Sequence, residues 1–81
     1  MDEKIKLIWD FRGPSAKQTA LYHEIHLKEY ITIEKLAINI TGTEHITDMH
    51  SIAFLVVNKA EMKFVRDALK PHRGQLYIEN N

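Results

Sequence analysis

The sequence predicts an α+β fold in which four strands and two helices follow the order β-α-β-β-α-β. Three features predict it: an alternating stretch near the start, a centrally placed segment apolar on both faces, and a helix-start signature after each of them. Right-handed crossovers are nearly obligatory. They turn that order into a four-stranded antiparallel sheet, spatial order 4-1-3-2, with both helices on one face.

From Lys4 to Phe11 the chain alternates, with Ile5, Leu7, Trp9 and Phe11 on one side and Lys4, Lys6, Ile8 and Asp10 on the other. Arg12-Gly13-Pro14 breaks that strand. Ser15-Ala16-Lys17-Gln18 has the form of a capping box, so a first helix is expected from Ser15 towards Tyr30. The β-branched run Ile31-Thr32-Ile33 disfavours helix and blurs its end. Ala37 to Thr41 reads as a second strand closed by Gly42, with Thr43 to Asp48 as a polar turn. Ser51 to Val57 is apolar on both faces, as a strand buried on two sides must be. Asn58-Lys59-Ala60-Glu61 repeats the cap signature before a helix that carries Met62, Val65 and Leu69 on one stripe. Pro71 stops that helix, and Gly74 leads into a short strand over Gln75 to Glu79.

Eighty-one residues make one domain, 1–81, without room for a second. Hydrophobic residues are 44% and charged residues 27% of the chain, the proportions of a globular protein. A core of this size leaves a net stability of about 3–5 kcal/mol. With no cysteine there is no disulfide to add to it, so a ligand or a second copy is the expected supplement. Eleven basic residues balance eleven acidic ones, which gives no electrostatic footprint for nucleic acid or an anionic membrane. Met1-Asp2-Glu3-Lys4 is charged and no apolar run approaches a signal peptide or a membrane span, so the expected location is the cytoplasm.

The central strand offers Ile52, Phe54 and Val56 on one side and Ala53, Leu55 and Val57 on the other. Helices on one face leave the other open, and an apolar open face predicts a homodimer packed sheet to sheet.

Five histidines, His23, His26, His45, His50 and His72, stand in this short chain. Histidine titrates near neutrality and serves as base, donor or metal ligand, so the topology matters. Three connections fall at the same end of the sheet and gather Asp10, Arg12, Glu44, His45, Asp48, His50, His72 and Arg73 there, beside the free N–H groups of helix one. A ligand site at this loop end would use Trp9, Asp10, Arg12, His50, His72 and Arg73. A small anion is the expected ligand, because an arginine fork suits a carboxylate or phosphate. On helix one, Ala16, Ala20, His23, Leu27 and Tyr30 share the stripe that faces the sheet, with His26 on its flank. His23 or His26 is the candidate general base, set beside Trp9 and Asp10. His23 and His26, three apart, could also approach one divalent metal with His50 as third ligand, although no His-Glu-x-x-His run supports this and no cofactor is expected.

On its element order and buried central strand, the whole chain resembles the ferredoxin-like fold. Within that fold, domains that bind metal clusters through cysteine are excluded by composition. The third-strand stretch Ala53-Phe54-Leu55 lacks the flanking aromatics and basic residue of RNA-recognition domains. Arg12-Gly13 does not reproduce the glycine-rich signature of acylphosphatases. The histidine-bearing first helix resembles that of small stand-alone dimeric α/β-barrel proteins, and this likeness implies a homodimer without implying a reaction. The function expected is a small binding or structural domain, with a dimeric α/β-barrel enzyme or a metal binder as alternatives.

Overall fold

The computed structural model describes residues 3–78; residues 1, 2 and 79–81 lie outside that range. Its elements are β1 (Lys4–Arg12), α1 (Ala16–Glu34), β2 (Ile40–Thr47), β3 (His50–Asn58), α2 (Lys59–Leu69) and β4 (Arg73–Tyr77). The strands stand in the order β2-β3-β1-β4, every neighbouring pair antiparallel, which is 4-1-3-2 read from the other edge. This is the ferredoxin-like βαββαβ fold. No helix among the described residues is long and apolar enough to cross a membrane.

The period of two in β1 and β3 sorts their residues as expected. Leu7 and Trp9 join Ala53, Leu55 and Val57 in one core with Ala20, Leu27 and Ile31 of α1 and Val65 of α2. Both helices therefore cover the same face. Leu21 and Ile25, on the far side of α1, are exposed.

Local signals were less dependable than periodicity. α1 continues through Ile31-Thr32-Ile33 to Glu34, because Ile31 is buried in the core and that contact outweighs its weak helix propensity. The Thr32 hydroxyl donates to the Lys28 carbonyl, and Lys35 ends the helix in the left-handed region, φ 52°. Neither capping signature forms its side-chain bond. At Ser15 it is the carbonyl that acts, accepting from both the N–H and the hydroxyl of Thr19 at 3.0 Å. At α2 the Lys59 N–H donates to the Glu3 carbonyl.

β2 differs most from expectation. It covers Ile40–Thr47, so the segment read as a turn is strand, and the turn is reduced to Asp48 and Met49. Pairing with β3 accounts for this: Thr43 opposes Ala53 and Glu44 opposes Ile52, giving each polar residue a ladder partner. Gly42 is not a terminator but lies within the strand, under the ring of Phe54. A Cβ there would sit 2.6 Å from Phe54 Cζ, so only glycine admits the ring. β4 begins two residues earlier than expected, at Arg73. The expected last residue, Glu79, lies outside the described range.

The open face departs from the premise of an uncovered apolar surface. Ile8, Ile52 and Val56 point there, yet they are 2%, 3% and 0% exposed within the single chain. Their cross-strand neighbours are long. Ile8 lies between Phe54 and Arg73, Ile52 between Asp10 and Glu44, and Val56 between Lys6 and Ile40. Lys6 Nζ stands 4.3 Å from the Phe54 ring centre and 3.1 Å from Glu44 Oε2, which holds these side chains flat over the sheet. The demand for a second sheet is largely met inside the chain.

Candidate functional site

Topology gathers the loop-end residues as the sequence implied, then divides them between the two faces of the sheet. Asp10, on the open face, is the hub. Its Oδ1 accepts from His50 Nε2 at 2.8 Å and from Arg73 Nη2 at 3.2 Å, and its Oδ2 accepts from Arg73 Nε at 3.0 Å. Three strands are joined here by one carboxylate: β1 through Asp10, β3 through His50 and β4 through Arg73. The Arg73 guanidinium holds the Asp10 carboxyl below its ordinary range, against the opposing effect of partial burial, and the His50 hydrogen bond adds to it. Asp10 in turn raises Arg73. The fork expected to grip an external anion is thus already occupied by an internal one.

Arg12 ends β1 opposite His50, is exposed, and makes no ion pair with another described residue. Glu44 bonds Lys6, and His45 stands 3.7 Å from Asp48 at the exposed hairpin. Neither joins the cluster around Asp10.

On the helix face the same end is built differently. His72, just before β4, accepts the Asp10 backbone N–H on Nδ1 at 2.8 Å, while its own N–H donates to the Ile8 carbonyl. A neutral His72 accepting there carries its proton on Nε2, which remains a donor. Trp9 is 3% exposed, and its indole N–H donates to the Leu69 carbonyl at the end of α2 at 3.1 Å. Trp9 therefore packs the core and satisfies a helix terminus.

His23 projects from α1 into this layer. Its ring lies 4.8 Å from Trp9 and 5.4 Å from Phe11, centre to centre, both tilted. Its Nε2 is buried with no hydrogen-bond partner among the described residues. Burial holds the imidazole below its ordinary pKa of 6.5, and nearby His26 and His72 act in the same direction. His26, in contrast, faces water beside Glu29, 3.2 Å away. Of the two base candidates only His23 has a desolvated setting.

The metal trio does not assemble. His23 is on the helix face, His50 is on the open face bonded to Asp10, and no group of three ligating side chains stands together among the described residues. The sequence placed Trp9 or Phe11 beside His23, and the structure sets both rings against it. Phe11 follows Trp9 by two on the same strand face.

No family model, curated protein or solved structure matches the chain.

Proposed function

We propose that this protein is a small binding domain that takes a small anionic molecule at the loop end of its helix layer, with His72 and His23 as donors. The observation that carries the reading is the orphaned Nε2 of His23. A buried polar atom without a partner costs about 1–3 kcal/mol, and a ligand oxygen that reached it, with the imidazole proton on Nε2, would remove that cost. His72 Nε2 is a second donor nearby. The exposed guanidinium of Arg12, without an ion pair among the described residues, and the first turn of α1, which holds no acidic residue, add positive potential at the same end. Of the anticipated arginines, Arg73 contributes structure, through Asp10, rather than a free charge. The reading keeps the cytoplasmic setting expected from the sequence.

The test is a titration of the protein with inorganic phosphate and with acetate, followed through the imidazole NMR signals, in wild type and His23→Phe. Removing an unsatisfied nitrogen while keeping a ring should leave stability equal or raised, yet abolish the ligand-induced shifts at His72. A wild-type protein whose His23 and His72 signals ignore both anions sinks the reading. The enzyme alternative shares this atom, since desolvation that keeps His23 neutral also suits a general base. Chemical alteration of a bound ligand in the same titration would favour it.

A further inference from the structure

We infer that the anion carries an apolar body, and that the groove between α2 and β4 receives it: a short alkyl carboxylate with its head at His72 and Arg66. This rests on the anion reading above and names the ligand class for it.

The groove follows from the sequence of β4. Register pairs Gly74 with Leu7 and Leu76 with Ile5, so the two β4 positions facing the helices are a glycine and a leucine. α2 is short and packs mainly on β1 and β3, and β4 is exposed along most of its length. Leu76 is accordingly 55% exposed while Leu7 beside it is 2% exposed. A Cβ on Gly74 would meet Leu7 Cδ2 at 3.4 Å and Ile5 Cγ2 at 3.6 Å, so the absent side chain is what opens the floor.

The result is a depression of about 450 Å³, within the range of small-molecule sites, floored by Ile5, Leu7, Met62 and Leu76. Its charged side chains, Arg66 and Arg73, are of one sign, His72 borders it as well, and no acidic residue among those described lines it. Among the described residues Arg66 pairs with the adjacent Asp67, an exposed pair at 3.6 Å made through Nε, which leaves the remaining guanidinium N–H groups to turn inward. His72 borders this groove and also stands near His23, so the head of a ligand at the loop end has an apolar trough beside it in which to lay a tail. Apolar floor and cationic rim together select an amphiphilic anion over phosphate or a neutral chain.

Octanoate, acetate, inorganic phosphate and octanol are the probes, read by methyl and imidazole NMR shifts. Octanoate should bind at least tenfold tighter than acetate, because each buried methylene adds affinity, and should shift Ile5, Leu7, Met62 and Leu76 methyls. It should also exceed octanol. Gly74→Val, a change a strand tolerates, should cut octanoate affinity to that of acetate while leaving acetate unchanged. Arg66→Gln should weaken octanoate without affecting octanol. Octanoate binding no tighter than acetate, or no tighter than octanol, overturns the inference. If acetate and phosphate bind at His72 in that event, the anion reading survives alone; if no anion binds, both fall.

Discussion

The two faces of one sheet solve the same problem by different means. On the helix side, Leu55 and Val57 of β3 are buried by a second layer, α1 and α2, whose apolar stripes supply matching surface. On the open side, Ile52 and Val56 of the same strand are equally buried with no layer above them. There the cover consists of side chains lying along the sheet: Phe54 over Gly42, Lys6 held by Glu44, and Asp10 drawn between His50 and Arg73. A layer buries by shape, whereas a lattice of long polar side chains buries by geometry that ion pairs maintain. The first should be stiff, strongly stabilising and insensitive to charge. The second should be softer and should respond to whatever disturbs its pairs.

Core truncation gives the widest separation between the faces. Leu55→Ala removes packing from the middle of the layered core, where surroundings relax little, and should cost about 2–5 kcal/mol. Against a total of about 3–5 kcal/mol for a chain this small, the variant should be largely unfolded at 37 °C. Ile52→Ala, at the same depth on the open face, should cost no more than about 2 kcal/mol, since Asp10 and Glu44 beside it can settle into the space. Urea unfolding of both variants measures the contrast. Equal losses would mean that the open face is packed as rigidly as the core.

Gly42→Ala attacks the cover directly. The new Cβ would be 2.6 and 2.7 Å from Phe54 Cζ and Cε2, and the ring must lift. Overpacking of this kind costs about 1–3 kcal/mol, reduced by the roughly 0.5–1 kcal/mol that alanine gains over glycine in a strand. A net loss near about 1 kcal/mol is expected. The lifted ring also restores the uncovered apolar face from which a homodimer was anticipated. Light scattering should therefore give the native chain as a 9.5 kDa particle and Gly42→Ala as a heavier one. A native protein of twice that mass would show that sheet-to-sheet pairing operates despite the cover.

What the sequence disclosed follows the same division. Periodicity reported burial wherever a helix layer enforces it, so β1, β3 and the inward stripe of α1 were legible. The central strand was also legible as two-sided. What covers its second side was not, because that depends on which residues β2 and β4 place opposite it, and register is set by pairing across the chain. For the same reason Gly42 read as a strand end when it is a seat for Phe54. The loop-end cluster was foreseeable from topology, which brings Asp10, His50, His72 and Arg73 together. Their allocation to opposite faces turned on strand parity near His72, and it separated a structural carboxylate clamp from the orphaned imidazole of His23.

Acidification should resolve the two faces in separate pH windows, the smallest effect expected here. His23 has a folded pKa below its ordinary 6.5, so below that pH the unfolded chain binds more protons than the folded one. Its contribution is complete above 6.5 and stability declines as pH falls from there. Asp10 has a folded pKa below its ordinary 3.8, so its contribution is present above 3.8 and is lost as pH falls through the lower folded value. Thermal unfolding from pH 8 to pH 3 should show a shallow upper decline from the helix face and a lower one from the open face. His23→Phe should flatten only the upper segment and Asp10→Asn only the lower. If His23→Phe leaves the upper decline intact, the imidazole between Trp9 and Phe11 is not held neutral by folding, and the orphaned nitrogen loses its claim to be the centre of the site.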